Sequence, residues 1–141
     1  MTPELAVLAW STLLLLVLIL ISAMGNLQAM GPAWGIGNRD EASTATGWVP
    51  RTRRAYMNLL ENLVIFGLFV IIGHLANIHT DMTVLGATIF LYARLVHAIV
   101  YVPGITIGGI RTLAYFAGVV GTVMVLWPVI SSLLAAAPAP M

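Results

Sequence analysis

Four apolar runs, each long enough to cross a bilayer as a helix, constrain this chain more than any other feature. A membrane-spanning helix needs roughly 20 consecutive, mostly apolar residues. Residues 5–30 supply the first run, with no charge anywhere inside it. Residues 51–77 supply the second, in which Glu61 is the one interior charge. Residues 82–102 form the third, which contains Arg94, and residues 110–134 form the fourth, in which Pro128 predicts a kink. Only 8% of the 141 residues are charged, against about 25% in soluble domains. The expected architecture is therefore all-α: an integral membrane four-helix bundle filling a single domain, residues 1–141.

The first run is not a cleaved leader on this reading. Glu4 stands where a positive n-region belongs, and the apolar stretch from Leu5 to Met24 outlasts a usual leader core. Residues 31–50, "GPAWGIGNRDEASTATGWVP", are rich in Gly, Ser and Thr and read as a loop. "IHTD" predicts a tight turn, with Thr80 or Asp81 as the N-cap of the next helix. "PGITIGG", residues 103–109, breaks the chain again; the Gly104/Gly108 spacing beside Pro103 reads as a turn rather than a packing face. The closing "AAAPAPM" reads as flexible.

Several function classes fall away. A net charge of +1, with six arginines spread over four regions, does not make the basic face that nucleic acid requires. The absence of cysteine removes disulfides, thiolate metal sites and a cysteine nucleophile. His74 and His79, with only Asp81 nearby in sequence, fall short of the three or four ligands zinc takes, so no metal is expected. Inverted repeats and broken helices, the marks of a transporter, are not evident.

The arginines orient the bundle. Arg39, Arg51, Arg53 and Arg54 belong to the first loop or its edge and Arg111 to the third, while the other side holds Glu4, His79 and Asp81. Short cytoplasmic loops collect positive charge, which places both termini on the non-cytoplasmic side. Trp34 and Trp48 flank the first loop, as an aromatic belt would.

Polar residues inside the spans carry the functional reading. Arg54, Asn58 and Glu61 are spaced i, i+4, i+7 on span two; Arg94, His97 and Tyr101 are spaced i, i+3, i+7 on span three. Each set lies along one helix face. Glu61 sits roughly 15 Å into its span and Arg94 roughly 12 Å from the end of its own, so in antiparallel helices the two are expected to pair. An isolated charge at a helix centre costs about 2.5–3.5 kcal/mol, which makes pairing worthwhile. A lone structural ion pair would not use the donors of Arg54, Asn58, His97 and Tyr101. Those side chains suit a small, polar, mostly anionic ligand, and Arg111 at the start of span four can reach the same mouth.

"RTRRAYMNLLEN" together with "YARLVHAIVYVPGITIGGIR" closely resembles the MAPEG family, the membrane-associated proteins of eicosanoid and glutathione metabolism, and its generic bacterial-type members in particular. The resemblance implies a homotrimer, in a bacterial inner membrane, with glutathione bound between neighbouring subunits near the cytoplasmic side. It implies that Arg54, Asn58 and Glu61 hold the charged and amide groups of glutathione, that Arg94 supports that network, that Tyr101 contacts the peptide, and that His97 belongs to the same binding set. Arg111 resembles the catalytic arginine that stabilises the thiolate. The implied activity is a microsomal-type glutathione transferase or peroxidase acting on hydrophobic electrophiles that arrive through the bilayer. Members that bind glutathione often carry a basic residue near the cytoplasmic end of span one. Here nothing basic precedes Arg39, Gln28 being the nearest polar group, and Tyr56 and Met57 replace residues favoured in other branches. These departures disfavour the specialised prostaglandin and leukotriene enzymes. They also keep a second expectation open: a trimeric membrane scaffold or partner subunit without catalysis.

Overall fold

Residue-level local chemistry explains where each helix begins and stops. The computed structural model describes residues 1–136, in which the chain forms α1 (Pro3–Met30), α2 (Pro32–Ile36), α3 (Trp48–Leu75), α4 (Asp81–Tyr101) and α5 (Ile110–Ala136). The last five residues of the tail expected to be flexible lie outside the described residues. Thr2 caps α1, and Pro3 follows it at the first helical position, where a missing N–H is not needed. Thr80 caps α4 in a reciprocal box: its hydroxyl accepts from the Thr83 N–H, and the Thr83 hydroxyl accepts from the Thr80 N–H.

The α3–α4 turn is equally specific. Asn77 takes a left-handed conformation at φ 54°, the N–H of Ile78 donates to the Gly73 carbonyl, and the N–H of Asn77 donates to that of His74. This paired pattern satisfies the last carbonyls of α3 and turns the chain back on itself. Residues 31–50 depart from the loop expectation, since they contain α2 and the first turn of α3. Pro32 and Pro50 permit this, because each stands in a first helical turn, where N–H groups lack intrahelical acceptors anyway.

α1, α3, α4 and α5 are each long and apolar enough to cross a membrane. α1 packs along α3 and α4 along α5. Between the pairs, the fully buried rings of Phe66 and Phe90 stack with centroids 4.0 Å apart. α4 and α5 approach closely because glycine faces glycine: a β-carbon at Gly86 would stand 2.7 Å from the Gly121 carbonyl oxygen. The outer surface is the reverse of a soluble protein's. Leu16, Leu20, Leu68, Leu113 and Trp127 are all exposed on it, a coat that fits acyl chains or a neighbouring polypeptide and not water.

Gly86→Val places a branched side chain against the α5 backbone. Such overpacking costs about 1–3 kcal/mol. Thermal unfolding in detergent should show a clear loss of stability for Gly86→Val, with Val120→Ala on the exposed face changing little.

Candidate functional site

Arg94 organises the end of the bundle where α3 begins and α4 finishes. It is 2% exposed, the largest of the fully buried side chains. Its Nη1 donates to Asn58 Oδ1 at 2.8 Å; its Nη2 donates to the Tyr115 carbonyl at 3.2 Å and lies 3.4 Å from Asn62 Oδ1. The amide of Asn62 donates in turn to the Asn58 carbonyl, which aims its oxygen at the guanidinium. The rings of Phe90 and Tyr115 each lie 5.4 Å from the guanidinium carbon, near enough for cation–π attraction. One donor, Nε, is buried without a partner.

This arrangement corrects the expected Glu61–Arg94 pair. Glu61 is exposed on the surface of α3, and among the described residues no carboxylate lies within salt-bridge distance of Arg94. The reason is helix rotation. Asn62 stands about 100° around the helix from Glu61, and that turn brings Asn62, not Glu61, to face α4. Two neutral amides and a carbonyl take the place of one carboxylate, so Arg94 keeps an uncompensated positive charge inside the bundle.

In front of Arg94 lies an open cavity of about 290 Å³. α3 contributes Arg54 and Asn58 to its wall, and α4 contributes His97 and Tyr101. The start of α5 contributes Arg111, Thr112 and Tyr115. The Arg111 guanidinium lies 5.1 Å from the centroid of the Tyr101 ring, and the rings of His97 and Tyr101 are 5.4 Å apart. His97 is largely buried behind that ring. No carboxylate is among the lining residues. With Arg54 and Arg111 at its rim and Arg94 behind, the cavity's field is positive, and its donors fit carboxylate or amide groups.

Of the seven residues singled out from sequence, five line this cavity, Arg94 supports it from behind, and Glu61, exposed on α3, is not among its lining residues. Asn62, Thr112 and Tyr115 were not foreseen. Asn62 follows Asn58 by one helical turn and Tyr115 follows Arg111 by one turn, so the spacing that found the others could have found these two. Thr112 carries no such signal.

The mouth is held by Arg51. Its Nε donates to the Val102 carbonyl at 2.9 Å and its Nη2 to that of Pro103 at 3.1 Å, placing a cation on the last turn of α4, where the helix dipole favours one. Gly104 makes room: it sits at φ 87°, and a β-carbon there would stand 3.0 Å from the Arg51 guanidinium carbon. The segment between α1 and α3 folds over on itself, with the Trp34 indole donating to the Glu41 carbonyl and Arg39 lying over the Trp34 ring.

The sequence matches the MAPEG family over residues 7–131. Comparison with curated proteins found no match.

Gly118 tests whether the cavity depends on Arg94. A β-carbon at this position would collide with the Arg94 guanidinium. The end of a flexible side chain normally yields cheaply; here yielding means leaving Asn58 and the Tyr115 carbonyl. Gly118→Ala should therefore lower stability by about 1–3 kcal/mol, read by thermal unfolding, whereas Glu61→Gln in the same assay should leave Arg94's packing intact.

Proposed function

The chain belongs to the MAPEG family, which makes it a membrane protein related to glutathione or eicosanoid metabolism, and from that premise we propose that its cavity binds glutathione and activates the thiol against hydrophobic electrophiles or peroxides. The observation that carries this reading is the donor set: Arg54, Asn58, His97, Tyr101 and Arg111 converge on one space with no acid among them. Glutathione offers two carboxylates and two amides, groups that guanidinium and amide side chains recognise. Arg54 and Asn58 would take its charged and amide groups, and Tyr101 its peptide. Arg94 and His97 would hold the wall in place.

Arg111 is the residue assigned to the chemistry. A free thiol has a pKa near 8.5, and a guanidinium beside it favours the anion, so more thiolate is present at neutral pH. The thiol proton leaves to water, the sulfur forms a bond to the electrophilic carbon, and the leaving group departs with the bonding electrons. The open side of the cavity lets the polar peptide enter from water, while the apolar outer face gives a lipophilic acceptor its approach. Arginines 51, 53, 54 and 111 gather at this end, and Glu4, His79 and Asp81 at the other. The positive-inside rule then turns the cavity to the cytoplasm and both termini away from it, in a bacterial inner membrane.

Glu61 bears on assembly. A charge exposed midway along α3 would cost about 2.5–3.5 kcal/mol at the centre of a bilayer. A second copy covering that face would remove the cost, and a homotrimer with sites between subunits would bring Glu61 to the glutathione it is assigned to bind. One observation favours the other reading, a trimeric scaffold without catalysis. α1 brings no positive charge to the cavity end, because its last turns carry only Asn26, whose amide donates to the Ser22 carbonyl, and Gln28.

The two readings separate by experiment. Purified protein should be stabilised by glutathione, as selective binding to the folded state requires. It should also conjugate a chlorodinitrobenzene-type acceptor. Arg111→Ala should lower turnover by about tenfold or more at neutral pH, the change that one unit of thiol pKa makes, while retaining most glutathione binding. A chain that neither turns over several acceptors nor is stabilised by glutathione is the scaffold.

A further inference from the structure

The opposite end of the bundle holds a buried carboxylate for which the proposed chemistry has no use. Glu4, in the first turn of α1, is 4% exposed. Its Oε1 accepts a 2.6 Å hydrogen bond from the Thr83 hydroxyl and lies 3.6 Å from His79 Nδ1. Its Oε2 is buried and meets no donor. Glu4 borders a cavity of about 10 Å³ beside His74 and His79, about the room one water takes. The three side chains that meet here come from α1, α4 and the turn between α3 and α4.

Thr83 makes the contact compatible with either form of the carboxyl. Its oxygen accepts from the Thr80 N–H at 3.0 Å, and its one proton has two acceptors in reach: Glu4 Oε1, and the Thr80 carbonyl at 2.8 Å. An ionised Glu4 takes the Thr83 proton's hydrogen bond. A protonated Glu4 donates to Thr83, which then turns to the Thr80 carbonyl. The hydrogen bond survives both ways, so what changes at this junction is charge, and His79 is the group placed to answer it.

We propose that Glu4, His79 and Thr83 form a proton-binding clasp. A proton taken up on His79 Nδ1 converts the 3.6 Å contact into an imidazolium–carboxylate pair and fastens the first turn of α1 to the α3–α4 turn. The other groups facing it are few. His74 on α3 has its ring 5.5 Å from that of His79, and a charge there opposes uptake. Asp81, in the first turn of α4, forms no ion pair among the described residues. α5 contributes only Val125 and Val129. Mild acid is the range in which an imidazole ordinarily gains its proton while a carboxyl ordinarily keeps its charge.

The test is thermal unfolding of the full chain in lipid nanodiscs at about pH 5.5 and about pH 8, either side of the ordinary imidazole range. Measured against His79→Gln, which shares every other titrating group, the wild type should gain about 2–4 °C in mild acid, the shift that an interaction of this class makes in a chain of this size. In a Glu4→Gln background the same comparison should show no gain, and in a His74→Gln background it should keep it. His79, in a turn with its side chain 34% exposed, tolerates replacement, so it decides the matter even if Glu4→Gln does not fold. Hydrogen exchange of the first two turns of α1, corrected for intrinsic rates, should slow in mild acid in the wild type only. A gain over His79→Gln that is absent, that persists in the Glu4→Gln background, or that disappears only in the His74→Gln background would overturn the clasp.

Discussion

A guanidinium sealed inside an apolar bundle is the constraint from which the cavity end of this protein follows. Arg94 cannot shed its proton, and taking its charge from water into the bundle is expensive unless the surrounding groups accept its hydrogen bonds. Asn58, Asn62 and the Tyr115 carbonyl supply the acceptors, from α3 and α5 respectively. One side chain on α4 thus ties three helices together at the depth where the cavity ends. Gly118 belongs to the same arrangement, because only a residue without a β-carbon lets the guanidinium lie against the α5 backbone.

The cavity owes its character to what this tie leaves over. Asn58 serves both sides, binding Arg94 through its oxygen while standing in the cavity wall. Arg54 and Arg111 remain at the rim, and the Arg51 clamp on the end of α4 keeps Tyr101 and His97 in register with them. Arg94, which ties the helices, and Arg54 and Arg111, which line the cavity, are therefore different residues, separated by their depth in the bundle. That division is why a positive, open space can persist at one end of an otherwise apolar protein.

Much of this was legible from residue spacing. Four spans, the Thr80 cap and the two polar stripes on α3 and α4 follow from helix geometry and hydropathy, which act locally. The errors arose where a small rotation or a long-range contact decides. Glu61 and Asn62 are adjacent in sequence, and pattern alone favoured the charged one as the partner of a charge; the helix turns the neutral one inward. Glu4 and His79 are 75 residues apart in the chain, so nothing local announced their meeting, and His79 was weighed only as a metal ligand. Tyr115 acts on Arg94 through its backbone carbonyl, a role that no side-chain pattern encodes. α2 escaped notice because a single helical turn started by a proline has no periodicity to detect.

The most direct measurement is a double-mutant cycle between Arg94 and Asn58, using Arg94→Met, Asn58→Leu and the pair, read by thermal unfolding in the same detergent. A hydrogen bond to a charged group is worth about 1.5–3 kcal/mol, and residues in contact couple by about 0.5–3 kcal/mol. The coupling energy should fall in that range, with the double variant more stable than the sum of the singles implies. Strict additivity, with each single variant as stable as the wild type, would contradict the placing of Arg94 at the centre of the bundle's cavity end.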